Sequence, residues 1–376
     1  MHDLTLEAFP FLTSLAASES PRDRRIWLRV ASDHFVASRA SDPEAIEQFT
    51  EAMATRLNAA DALTRLEIAR KFAPCAQTPR KLLALFESID SEAGDYVLQH
   101  AVAYDDDALK QAVGRSERRA VAVAKRERLT PSLVSILAEH NEAEVVAALA
   151  ANDSARLEGP TLALLLRRAR AEAEQSGDRR LVDALLGRRP MRTENAALFL
   201  SATPDQRVEI LLAAQRAQLG RPASSIFAVE RARLHELELA AVARQPDRFV
   251  ALLAETLDCD LNLARRIVDD PSGEPLAVAL AALGAANEIV VRVLISTDLS
   301  AGASYRRIRA LARLNSALNR NAAMLVITGL RGETSAKRRP QPPAEAGISE
   351  PSRARASRPV LRLQTATEAQ PRARAR

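Results

Sequence analysis

Apolar positions recur at helical spacing along most of this chain, in short runs divided by proline, aspartate, asparagine and glycine. The pattern is densest between Ser116 and Asp153. From Glu117 to Arg128, Ala120, Val123 and Ala124 share one face, while Arg118, Arg119, Lys125 and Arg126 turn away from it. Thr130-Pro131 stops that helix and starts another: a threonine oxygen accepts from a free backbone N–H, and proline at the first position gives up an N–H that has no partner. Leu133, Ile136 and Leu137 form the next stripe, His140-Asn141 breaks it, and Val145, Ala148 and Leu149 form a third before Asn152-Asp153. Helices this short are marginal in water, so each must bury its stripe against neighbours. A string of such units predicts a stacked helical repeat.

The same phrase recurs elsewhere. Thr78-Pro79 leads Leu82, Leu83, Leu85 and Phe86, then a break at Ile89-Asp90-Ser91, then Tyr96, Val97 and Val102. Gln245-Pro246 leads Phe249, Val250, Leu252 and Leu253, a break near Asp258, then Leu261, Ala264 and Ile267. Gly273-Glu274-Pro275 leads Leu276, Val278, Leu280 and Leu283, a break at Gly284, then Ile289, Val290, Val293 and Leu294. The separations vary, so the repeat is degenerate.

Around these copies the pattern predicts a first helix over Leu4 to Leu15, and one from Pro21 with Ile26, Trp27 and Val30 inward. Others start at Pro43 and near Asp61, the latter with Leu63, Leu66, Ile68 and Phe72. Further helices are expected over 162–174, 179–186, 193–200, 204–219 and about 225–244, and a last one from Tyr305 to about Thr328. Gly220-Arg221-Pro222 is the clearest internal break and a candidate boundary between two helical halves. The expected organisation is an N-terminal helical-repeat region at 1–220, a C-terminal one at 221–330 and a tail at 331–376.

Composition agrees with helices. Apolar residues make up 47% of the 376 and aromatics only 3%, with alanine and leucine dominating, which favours close-packed helices over strands. The net charge of +5 conceals an asymmetry: residues 331–376 hold 11 Lys+Arg against 4 Asp+Glu, a net of +7, and residues 1–330 hold 42 against 44, a net of −2. The tail is also proline-rich, with few large apolar residues to offset ordering entropy, and is expected to be disordered. Its arginines, Arg353, Arg355, Arg358, Arg362, Arg372, Arg374 and Arg376, form a candidate electrostatic binding element for nucleic acid or an anionic membrane surface. Val360-Leu361-Arg362-Leu363 is its one apolar run.

Candidate chemistry is sparse. Asp105-Asp106-Asp107 reads as a helix N-cap with favourable charge for the helix dipole. Asp269, Asp270, Ser272 and Glu274 lack the spacing of an EF-hand loop and read as a helix stop followed by a capped start. Cys75 and Cys259 are expected to be small buried apolar residues, and the five histidines to lie at the surface or its boundary. There is no G-x-S-x-G, phosphate loop, C-x-x-C or H-E-x-x-H, so no catalytic, cofactor or metal residue is assigned. Asp3, Glu7 and Pro10 interrupt what would be the apolar core of a signal peptide, and no apolar run approaches the eighteen or so residues a membrane span needs. A cytoplasmic location is expected.

The segments LNLARRIVDDPSGEPLAVALAALG (261–284) and RRAVAVAKRERLTPSLVSILAEHNEAEVVAALAAND (118–153), with Leu66 to Pro79, resemble a bacterial family known as domain of unknown function 2336. The resemblance spans about residues 20–330 and carries over no catalytic residue. The body also resembles HEAT-type helical repeats, which implies a protein-binding solenoid. The expected fold is therefore all-α, a HEAT-like right-handed solenoid of short antiparallel helix pairs with a disordered basic tail. The expected function is a non-catalytic interaction scaffold or regulatory adaptor holding a protein partner in the solenoid groove. A nucleic-acid- or anionic-surface-associated protein acting through the tail is the alternative, and an enzyme on a helical scaffold the weaker one.

Overall fold

The computed structural model describes residues 18, 20–38, 43–89, 91–219, 231–297 and 305–332, and every regular element among them is helical. In order these are α1 (Pro21–Ser38), α2 (Pro43–Asn58), α3 (Ala62–Phe72), α4 (Arg80–Ile89), α5 (Ser91–His100) and α6 (Asp106–Arg115). Then come α7 (Glu117–Ala124), α8 (Pro131–Ala138), α9 (Ala143–Ala151), α10 (Gly159–Gln175), α11 (Arg180–Gly187) and a 3₁₀ helix (Thr193–Ser201). The remainder comprises α12 (Pro204–Gln218), α13 (Arg231–Val242), α14 (Pro246–Leu257), α15 (Leu261–Asp269), α16 (Glu274–Leu283), α17 (Asn287–Ser296), α18 (Tyr305–Ala317) and α19 (Arg320–Leu330). The segment Leu4 to Leu15, the Gly220-Arg221-Pro222 break and the tail from residue 333 onward lie outside the described residues. No described helix is long and apolar enough to cross a membrane.

Local chemistry sets most helix starts. Asp61 caps α3, accepting from Thr64 N at 2.8 Å, and Thr130 caps α8 with proline in the first turn. Thr203 and Gln206 form a reciprocal capping box on α12. Thr78 behaves differently: its hydroxyl is buried and donates 2.8 Å to Phe72 O, closing the end of α3 in place of opening α4. The single last helix expected from Tyr305 is two, because Asn319 accepts from Asn321 N at 2.8 Å and starts α19 afresh.

From α1 to α11 alternate helices pack on one another. One row runs α1, α3, α5, α7, α9, α11; in the other α2 meets α4, and α6, α8 and α10 follow in sequence. Both rows end against the 3₁₀ helix. Beyond it the order changes. α19 packs on the 3₁₀ helix, on α12 and on α16, and α16 also touches α14, α15, α17 and α18. Every residue of α16 from Pro275 to Leu283 is buried, as befits a helix apolar all round. The close approach of α19 depends on Gly329, where a Cβ would stand 2.7 Å from that of Ala196.

Two main apolar cores result. The first, from Trp27 to Ala101, concentrates the aromatics: Phe35 stacks on Phe49 at 4.6 Å, and Phe72 meets Phe35 edge-on at 5.7 Å. The second runs continuously from Leu98 to Leu330, so residues on both sides of position 220 share it. Several expected inward residues are exposed: Val30, Leu63, Val102, Ile136 and Leu261. In their place α1 buries Trp27, Leu28, Ala31 and Phe35, and α8 buries Leu133, Val134, Leu137 and Ala138.

Helix ends in the row are closed by the element that follows. The carbonyls of Leu98 and Ala101, ending α5, accept from the Arg126 guanidinium, the latter at 2.8 Å. Ala124 O and Arg126 O, ending α7, accept from Asn152 Nδ2 at 2.8 and 2.7 Å. Ala150 O and Asn152 O, ending α9, accept from Arg188 at 3.0 and 2.6 Å. Each donor lies just past the next helix of the same row, and meets carbonyls that a helix leaves unpaired. Replacing Asn152 by alanine removes both of its bonds at once and should lower stability by about 2 kcal/mol, read as a shift of the urea midpoint at constant slope.

Candidate functional site

The acidic clusters come first. Asp105 caps α6, accepting from Ala108 N at 2.9 Å, and pairs with Arg80; Asp106 accepts from Thr130 Oγ1 at 2.6 Å; Asp107 pairs with Lys110 at 3.2 Å. The three neighbouring carboxylates thus each serve separate partners. Among the described residues no group of three or more His, Cys, Asp or Glu is arranged to hold a metal.

In the second cluster Asp269 separates from its neighbours. Asp270, Ser272 and Glu274 converge on the buried guanidinium of Arg207 in α12, which sequence reading did not connect with them. Arg207 meets Asp270 Oδ2 at 2.7 Å, Ser272 Oγ at 2.6 Å and Glu274 Oε2 at 3.0 Å, and donates to Phe199 O at 3.1 Å, ending the 3₁₀ helix. Arg307 holds the same loop from α18 through Ser272 O at 3.1 Å and Pro271 O. Burial alone would raise the Asp270 pKa, but the hydrogen bonds from Arg207 and Ser272 outweigh it and hold the carboxyl below its ordinary value.

The other side of this loop, Asp269 and Pro271, lines a cavity of about 510 Å³. It opens between the ends of α13, α15 and α17 and the start of α14. Phe249, Val268 and Pro246 supply apolar wall, and Arg244, Asp269, Ser296 and Thr297 supply polar groups. Arg244 has φ +52°, a left-handed conformation costly for a residue with a Cβ. Both Arg244 and Asp269 are exposed, and neither side chain forms an ion pair with a described residue.

The cysteines are half-buried, not fully buried as expected. Burial pushes the Cys259 thiol up to about 11, so it is protonated at neutral pH and a poor nucleophile. His100 packs against Tyr96 with ring centroids 4.4 Å apart and planes tilted by 40°, and desolvation lowers its pKa. The tail arginines from Arg353 to Arg376 lie outside the described residues.

Fold and site together define an all-helical protein whose acidic loop is bound by arginine on one side and faces a mixed apolar and polar cavity on the other. Residues 94–328, more than half of the chain, match the family described as "Uncharacterised protein conserved in bacteria (DUF2336)", and the chain belongs to it. The match begins within α5, leaving α1–α4 outside. No curated protein and no solved structure matches.

The Asp270 shift fixes a sign. A carboxyl with a depressed folded pKa contributes stability that is present above its ordinary value, 3.8, and is lost as pH falls through the folded value. Asp270→Asn should therefore flatten the acid limb of the stability-versus-pH curve below about pH 4 relative to the unsubstituted chain. Arg207→Met, which strands two carboxylates, should cost about 3–5 kcal/mol at neutral pH, read by denaturant titration.

Proposed function

We propose that this protein is a non-catalytic interaction scaffold in which the cavity beside the Asp269–Gly273 loop receives a segment of a partner protein. The observation that carries the reading is the cavity's make-up: apolar walls, and one cation and one carboxylate left without an ion pair among the described residues. Such sites gain affinity from apolar burial and orientation from a few polar groups. Arg244 adds a second argument, since a strained backbone at an exposed, unpaired arginine is a feature retained at functional sites more often than in plain structural loops. The stacked rows of α1–α11 support a solenoid-like platform, a class of surface suited to holding extended partners.

A second reading rests on the tail's net +7, which suits an anionic surface or nucleic acid. Salt separates the two. Affinity capture from the producing cells, with the full chain and with a chain ending at Thr334, should recover a stoichiometric protein that persists at high salt on both. The same protein should be lost with the double variant Arg244→Gly, Asp269→Lys. Arg244→Gly should leave stability within about 1 kcal/mol, because relief of the left-handed conformation offsets the added chain entropy. Capture of nucleic acid or ribosomal proteins that disappears with the tail or with salt would replace the scaffold reading by the tail reading. A partner indifferent to the cavity substitutions would remove the cavity from the account.

A further inference from the structure

The row of helix-end closures finishes differently from the way it begins. At α5 one arginine closes the end, at α7 one asparagine, but at α9 four arginines gather: Arg156, Arg188, Arg189 and Arg192. They line a cavity of about 130 Å³ together with Asp153 and Asn195. Room for one water needs only about 10–15 Å³, so the space admits a small hydrated ion.

The charge there is in surplus. Arg188 spends its terminal nitrogens on carbonyls, meeting Ala150 O, Asn152 O and Ala155 O at 3.0, 2.6 and 2.6 Å, and Arg192 donates to Leu157 O at 2.8 Å. Carbonyls orient a guanidinium without neutralising it. Glu209 pairs with Arg189 at 2.8 Å, and Asp153 is the one acid in the lining, so four cations face two carboxylates. Arg156 is exposed and its side chain has no partner among the described residues. The remaining liner is polar and buried: Asn195 is 4% exposed, its Nδ2 meets only the weak acceptor Met191 Sδ at 3.0 Å, and its Oδ1 meets no described group. The two ends of an amide are interchangeable by rotation, so Asn195 can present an N–H to the cavity.

We propose that this cavity binds a phosphate-type oxyanion, held by Arg156 and Arg192 at its mouth, with Arg188 supplying fixed positive charge and Asn195 a hydrogen bond from within. Guanidinium groups match the oxygens of a tetrahedral oxyanion in pairs. The ligand is either free phosphate or a phosphate monoester.

The test titrates the full chain with inorganic phosphate and, separately, with phenyl phosphate, each against chloride at constant ionic strength. Heat of binding and thermal midpoint are both read. The full chain should show a saturable site, and Arg156→Glu should weaken it at least tenfold without lowering the ligand-free midpoint, since Arg156 supports no described contact. Saturation by phosphate but not by the ester identifies the free ion, and by the ester the bound phosphoryl group. The tail's arginines give only a diffuse background that Arg156→Glu leaves in place. Absence of saturable binding of either probe, or equal affinity in Arg156→Glu, would overturn the proposal.

Discussion

A helix that ends inside a protein leaves carbonyls that its own backbone cannot satisfy, and this chain is built from short helices that end inside it. The answer repeated along the α5–α11 row is to let the residue just past each helix close the end of the one before. Arg126, Asn152 and Arg188 do this in succession. Leu98, Ala124 and Ala150 stand 26 residues apart, and that spacing is the structural repeat for this stretch. Stacking buries the stripes, but closure sets the register, because a slipped helix would leave its carbonyls buried and unpaired.

Beyond the 3₁₀ helix the same physical problem has a tertiary solution. Arg207 closes Phe199 O and Leu200 O and at once binds Asp270, Ser272 and Glu274, so one guanidinium joins the end of the rows to the start of α16. Arg320 repeats the motif at Ala282 O, 3.1 Å away, near the far end of α16. A helix without a polar face thus has both ends tied by arginines from other elements. The loop leading into it is thereby rigid on one side, and its other side, Asp269 and Pro271, becomes a fixed wall of the cavity.

Much of this was legible in the sequence. Proline and aspartate punctuation located α1, α2, α3, α8 and α12 at their starts, and Gly273-Glu274-Pro275 located α16, though not its burial on every side. The inward face was less legible, since in a helix as short as α8 the apolar residues Leu133, Val134, Ile136 and Leu137 fit two phases equally well. Neighbours on several sides chose the one that exposes Ile136. The closures were not legible at all, because Arg126 and Arg188 look like surface charges until a carbonyl twenty-five or more residues away comes within reach. Arg207 was hidden for the same reason, its partners lying more than sixty residues on. The cavity needed four separate helix ends to meet.

The central claim, that closure by the following element holds α5, α7 and α9 in the row, is tested most directly by hydrogen exchange of the native chain with and without Arg126→Leu. Leucine keeps apolar volume and removes the donor to Leu98 O and Ala101 O. Exchange at the end of α5 and along α7 should quicken at least tenfold, roughly the 1.4 kcal/mol of one lost closure, while α14 to α16 keep their rates. An unchanged α5, or an acceleration no greater there than in α15, would contradict the account.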